Sequence, residues 1–260
     1  MWAFLKRKIS NREFHILYRP NMEIIVNADD FGKSHEVNLG IVEAFKRDII
    51  QRTTLMVNMP YVDEAVELAI KNGFFEKVGL HLNLTEGVPL TEGVKEFGWI
   101  CSGHTFNDRI RQYCRRHLHL SSTAKEAIKC EIEAQIQKYI AYGFPLMHFD
   151  SHQHVHNEFF IYSIIEKISK QYGFVSTRIP RNLMDGHGFK NRIKLVYKYW
   201  IQSLINKSFT GTKYFGSYPD FCDYGGTVKG SVEIMVHPIL KGKMLYDIIE
   251  GIEVPMISKL

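Results

Sequence analysis

Ile24-Ile25-Val26-Asn27-Ala28-Asp29-Asp30-Phe31-Gly32 runs straight into a segment of helical period, residues 34–48, with Val37, Ile41, Val42 and Phe45 on one face. A β-branched run that closes on two carboxylates and opens into an amphipathic helix, with Ser34 as N-cap, reads as one βα unit. The pattern repeats about every 25 residues. Strand-like runs at 53–57 and 78–84 enclose a helix at 61–72 stopped by Gly73. The rhythm resumes with a helix at 123–142, a strand at 146–150, a helix at 158–172, and strands near 175–179 and 232–236. Such alternation predicts an α/β fold built on parallel strands. Residues 85–120, punctuated by Gly87, Pro89, Gly93, Gly98 and Gly103, read as a long loop with short helices above the sheet. Loops of that length are usually functional. A basic, aromatic helical piece at 190–207, followed by a Gly/Tyr-rich loop, separates the last two strands.

A chain of 260 residues, 45% hydrophobic and 23% charged, suits one large core and excludes a disordered or low-complexity protein. No apolar run nears the roughly 18–20 residues that a bilayer span needs, so no membrane partner is expected. The net charge of +5 sits mainly in the first twenty residues, where Lys6, Arg7, Lys8, Arg12 and Arg19 face Glu13. Without a basic patch on the body, no nucleic-acid partner is expected. Residues 1–21 are expected to form a basic N-terminal extension without chemistry. Residues 22–260, with no internal repeat or linker, are expected to form one domain. The extension lacks the uninterrupted apolar region of a signal peptide, and Cys101, Cys114, Cys130 and Cys222 contain no CxxC pair. A cytoplasmic location follows as the expectation.

Five polar groups fall at the carboxyl ends of five strand-like runs: Asp29-Asp30, His81, Asp150 with His152, Arg178, and His237. Barrel enzymes assemble their sites there, from residues far apart in the chain. Each group has a plainer reading by itself. Asp29-Asp30 could make a turn and cap the next helix, His81 could be a core histidine, Arg178 and Arg181 around Pro180 could be surface cations, and His237 before Pro238 could belong to a turn. Their coincidence favours a site. Residues 148–156 also place His148, Asp150, His152, His154 and His156 at alternate positions, so an extended chain would point all five to one side. That is costly unless they line a wet or metal-bearing cavity. A divalent cation could take one of the adjacent carboxylates and leave the other free as a base.

Asn27-Ala28-Asp29-Asp30-Phe31-Gly32, Gly79-Leu80-His81-Leu82-Asn83-Leu84, residues 148–156, Arg178-Ile179-Pro180-Arg181 and Glu233-Ile234-Met235-Val236-His237-Pro238 together resemble, in order, the motifs of the YdjC-like carbohydrate deacetylases, the family of chitooligosaccharide deacetylases. The resemblance implies a distorted (β/α) barrel related to the polysaccharide deacetylase fold. It also implies metal-assisted removal of acetyl groups from N-acetylated sugars. By resemblance, Asp30, His81 and His152 hold the metal, Asp29 is the base and His237 the acid. Arg178 is expected to hold Asp29 ionised and oriented. His154, His156, Asp150 and Arg181 fall to substrate binding or to support of the ligands. The chain departs from the family pattern at Ile239, where Gly is usual, and at Asn157-Glu158, where an apolar-Pro pair is common.

An Asp/His/His set leaves coordination positions open and accepts Mg²⁺ or Zn²⁺, the two favoured here, as well as Mn²⁺, Fe²⁺ or Co²⁺. The same residues admit another metal-dependent amidohydrolase or a sugar isomerase acting on a small polyol. A catalytically silent sugar-binding protein would use Phe97, Trp99, Tyr214, Phe215, Tyr218 and Tyr224 as stacking platforms and would not need Asp29. A homodimer is the default assembly for a soluble enzyme.

Overall fold

Ser34 accepts a hydrogen bond from the Val37 amide at 3.3 Å and so starts the first helix where the sequence places it. In the computed structural model, which describes residues 22–117, 119–184 and 187–254, the first five elements follow the expected alternation: β1 (Ile24–Phe31), α1 (His35–Lys46), β2 (Arg52–Leu55), α2 (Val62–Lys71) and β3 (Val78–Leu82). The expected N-terminal extension at 1–21 lies outside the described residues. The long loop after β3 holds a short hairpin, β4 (Cys101–Ser102) with β5 (Thr105–Phe106), and α3 (Arg109–Arg116). It is anchored to α4 (Ser122–Ala141), whose buried Glu131 accepts from the Leu90 and Thr91 amides at 3.1 and 2.8 Å. Then come β6 (His148–Ser151), α5 (Phe159–Gln171), β7 (Ser176–Thr177) and α6 (Phe189–Ser208).

Two stretches differ from expectation. The Gly/Tyr-rich loop contains a strand, β8 (Tyr214–Ser217), and a helix, α7 (Tyr218–Tyr224), before β9 (Val232–Val236). Phe215, fully buried, makes β8 a core strand, a tertiary demand that four residues of mixed character do not announce. After β9 the chain forms an unforeseen antiparallel sheet of β10 (Pro238–Lys241), β11 (Met244–Asp247) and β12 (Ile252–Glu253), with β10 lying against α1.

β1, β2, β3, β6, β7, β8 and β9 form one parallel sheet in the order β7-β6-β3-β2-β1-β9-β8. The fold is therefore α/β, a curled sheet in keeping with a distorted (β/α) barrel. Its two edges do not share a ladder. They are joined by irregular chain: the amide of Thr177 donates to Thr210 O at 2.9 Å, and that of Asn182 to Phe215 O at 3.1 Å. Alternation sorts the sheet into an apolar face and a polar one. Val26, Ala28, Leu80, Phe149, Val232, Ile234 and Val236 supply the apolar core, whereas Asn27, Asp29, His81, Asp150 and Glu233 are buried on the other side. Among the described residues no helix is long and apolar enough to cross a membrane.

Gly40 carries the contact between α1 and the C-terminal sheet. A Cβ there would stand 2.2 Å from Pro238 O and 2.7 Å from Ile239 Cα, both backbone atoms that cannot rotate away. Gly40→Ala is expected to cost about 1–3 kcal/mol, read as a lowered urea midpoint, and an unchanged midpoint would show that the helix slides to accommodate the methyl.

Candidate active site

Adjacent residues in a regular strand point to opposite faces, yet Asp29 and Asp30 both reach the site. The register of β1 against β2 shifts between Ala28 and Phe31, and Asp30 adopts a left-handed backbone with φ +70°. Asp tolerates that region better than a β-branched residue does. The bulge turns the second carboxylate back toward the first.

Asp30 Oδ1 lies 2.9 Å from His152 Nδ1 and 3.3 Å from His81 Nε2. These three buried donors all fall within 4.8 Å of one another. One carboxylate oxygen and two imidazole nitrogens so placed suit a divalent cation. His81 turns its other nitrogen, Nδ1, to Asp150 Oδ1 at 2.6 Å, and Thr54 Oγ1 donates to Asp150 Oδ2 at 3.2 Å. Burial disfavours a charged His81, but Asp150 and Asp30 overcome it and raise the imidazole to about 10. Asp150 thus holds a proton on Nδ1, which leaves Nε2 as the nitrogen turned toward Asp30.

Arg178, just beyond β7, has no exposed surface. Its guanidinium grips Asp29 with two bonds of 2.6 Å, reaches Asp150 Oδ2 at 2.8 Å and donates Nε to Glu233 Oε1 at 2.7 Å. Its central carbon stacks 4.6 Å from the Phe215 ring, so Phe215 serves this cation and is not a platform for sugar. Burial would raise the Asp29 carboxyl, but Arg178 outweighs it and holds the group far below the usual carboxylate range. Removing one partner of such a cluster leaves buried charge uncompensated. Arg178→Met should cost about 3–5 kcal/mol in urea unfolding; a loss under 1 kcal/mol would mean that water enters to replace the guanidinium.

The extended row at 148–156 does not exist beyond its first part. β6 ends at Ser151, and His152–Asn157 form a 3-10 turn in which Gln153 and His154 take φ of +50° and +57°. The five side chains therefore separate. His148 Nδ1 pairs with Ser176 Oγ at 2.9 Å. His156 bonds the Ser151 hydroxyl through Nδ1 and the Arg178 carbonyl at 3.1 Å through Nε2. His154 packs edge-on to Phe215 with ring centroids 5.4 Å apart. With Arg181, which pairs with Asp220 and donates to Ser217 Oγ at 3.0 Å, it lines a cavity of about 800 Å³ between α3 and α6. His237 stands with Nε2 3.9 Å from Asp29 Oδ2 and Nδ1 3.8 Å from Asp247 Oδ1.

Burial holds His148 and His156 neutral, His156 down to about 4. An unfolded histidine takes up its proton near 6.5. A folded value depressed in this way contributes stability that is complete above pH 6.5 and is lost as pH falls toward 4. For His156 the loss at pH 5 is about 2 kcal/mol. Urea midpoints at pH 7.5 and 5 should differ accordingly, and His156→Gln should shrink the difference; equal slopes in both proteins would assign it elsewhere.

Sequence reasoning did not single out Lys33, Glu86, Thr54 or Asp247. Lys33 Nζ lies 3.4 Å from Asp30 Oδ2 and 2.7 Å from Glu86 Oε2, and that same Glu86 oxygen is 2.9 Å from His152 Nε2. Glu86 is placed by Asn83, whose Oδ1 accepts from the Thr85 and Glu86 amides at 3.1 Å each and whose Nδ2 donates to Glu86 O at 2.6 Å. The available signal was an Asn three residues before a Glu-Gly pair, at the start of a loop that follows a candidate ligand strand.

The family model described as YdjC-like protein matches residues 23–250. A protein named carbohydrate deacetylase 1 from Listeria innocua is 32% identical over 89% of this chain and 87% of its own, and a carbohydrate deacetylase from Halalkalibacterium halodurans is 35% identical over 84% and 85%. Against the carbohydrate deacetylase of Clostridium beijerinckii the match is 36% identical over 58% of each chain, so it spans less than two thirds of that relative. An Enterococcus faecalis V583 structure, described as a candidate cellobiose-phosphate cleavage protein, superposes with a TM-score of 0.65 at 22% identity, covering 85% of this chain and 82% of that one. That likeness concerns the fold alone.

Proposed function

We propose, from the premise that the chain belongs to the YdjC-like protein family, that it is a divalent-metal-dependent carbohydrate deacetylase acting on N-acetylated sugars or oligosaccharides of the chitooligosaccharide kind. The observation that carries this reading is the pairing of two unlike carboxylates. Asp30 faces two imidazoles, while its neighbour Asp29 is held by Arg178 and faces His237. Curated relatives named carbohydrate deacetylase support the substrate class.

Asp30, His81 and His152 would hold the cation, Mg²⁺ or Zn²⁺ by the chemistry of a mixed oxygen and nitrogen set. When bound, it supplies Lewis acidity that polarises the acetyl carbonyl and makes a water acidic. Asp29 accepts the proton of the attacking water. Arg178 positions Asp29 and keeps its proton affinity low, so after turnover the carboxylate passes the proton on to the His237 imidazole that faces it, and both groups return to their starting states. His237, which faces Asp29, donates a proton to the departing amine. Without that proton the amine is a poor leaving group. Water and amide become acetate and amine, and no other reactant is needed. His154 and Arg181, on the cavity wall, are the candidates for contact with the rest of the sugar.

Acetate release from an N-acetylated chitooligosaccharide tests the reading. Chelator should abolish release and added metal restore it. Asp29→Asn should retain the metal and lose about 10²–10⁴-fold in rate, the usual worth of a positioned base, and His237→Ala should lose comparably. Release indifferent to chelator would overturn the metal reading, and a wild-type rate in Asp29→Asn would remove Asp29 from the reaction.

A further inference from the structure

A histidine that ligates a metal through one nitrogen commonly donates its other N–H to a carboxylate, which fixes the tautomer and the plane of the ring. His81 shows this arrangement: Nε2 faces Asp30 and Nδ1 faces the buried Asp150. His152 shows its mirror image. Nδ1 faces Asp30 at 2.9 Å and Nε2 faces Glu86 at 2.9 Å. Asp150 is on a strand beside His81, the two being register partners in β3 and β6. Glu86 comes instead from the loop after β3, with 38% of its side chain exposed. A half-exposed carboxylate needs a second hold to act as a fixed acceptor. Lys33, in the turn between β1 and α1, provides one at 2.7 Å, and the Asn83 turn fixes the backbone beneath.

We propose that Glu86 is the positioning residue of His152: it accepts the Nε2 proton and thereby presents Nδ1 to the cation, with Lys33 clamping Glu86 from the other side. The inference rests on the metal reading of Asp30, His81 and His152 and adds to it a residue outside the motif positions. It has a structural corollary. The loop that follows β3 contributes to metal affinity through its first turn, so the strand bearing one ligand also delivers the support for the other.

Metal binding to the purified protein tests this without reference to turnover. Zn²⁺ affinity by chelator competition, and the visible spectrum of the Co²⁺-loaded protein, would be compared for wild type, Glu86→Ala and Glu86→Gln. Removal of such a partner typically weakens metal binding 10–100-fold, and Glu86→Ala should fall in that range with its unfolding midpoint in the metal-free state close to wild type. Glu86→Gln, which keeps an acceptor oxygen, should recover most of the affinity with an unaltered Co²⁺ spectrum. Affinity within twofold of wild type in Glu86→Ala overturns the assignment, as does a Gln variant that is as weak as Ala and has a changed Co²⁺ spectrum, because Glu86 would then be a ligand itself. A wild-type protein that binds no divalent ion overturns the metal reading first, and this inference with it. A metal-binding wild type with an indifferent Glu86 variant overturns this inference alone.

Discussion

The guanidinium of Arg178 has no contact with water and touches three carboxylates, Asp29, Asp150 and Glu233, borne by three different strands or their ends. Taking one cation and three anions out of water is expensive, and only good geometry repays it. The fork of the guanidinium offers that geometry, with two parallel bonds to Asp29 and a third through Nε, which a lysine cannot imitate. Arg52 adds a second cation 3.1 Å from Glu233, so the deepest carboxylate is shared between two arginines. Everything above this layer depends on it. Asp150 is free to orient His81 because Arg178 and Thr54 occupy its second oxygen, and Asp29 stands ready beside Asp30 because it is anchored from below.

The polar layer also explains how a buried sheet can carry so much charge. Along each strand the apolar residues face the helices, and the polar ones meet each other across the inside of the curl, pairing strand with strand. A barrel interior filled by branched aliphatics is the usual solution. Here the upper interior is instead a network of hydrogen-bonded ions centred on Arg178.

The alternation of strands and helices was legible because period and punctuation report it directly, and the candidate ligands were legible because they close strand-like runs. Asp30, His81 and His152, tens of residues apart in the chain, do stand together. What the sequence concealed were departures from regular backbone. No glycine marks the left-handed residues Gln153 and His154, so the histidine row looked extended when it is a tight turn. Likewise nothing in Asp29-Asp30 announces the bulge that aims both carboxylates at one point. β8 and the sheet of β10, β11 and β12 were missed because short strands owe their existence to neighbours, and Glu86 because loops are positioned by side-chain bonds that leave no period.

The curled sheet closes around its interior except along the line between β7 and β8, where Thr210 and Asn182 stand in for a ladder. Along that slit no continuous ladder fixes the girth of the tube: a single bridge between Ser176 and Thr210 and a few backbone bonds cross it. Arg178 emerges at one lip of the slit and fastens to Glu233 on β9 and Asp29 on β1, which lie beyond the other lip. It therefore works as a crossbar inside the tube, and the diameter it sets is also the span between His237 at the end of β9 and the imidazoles that β3 and β6 carry.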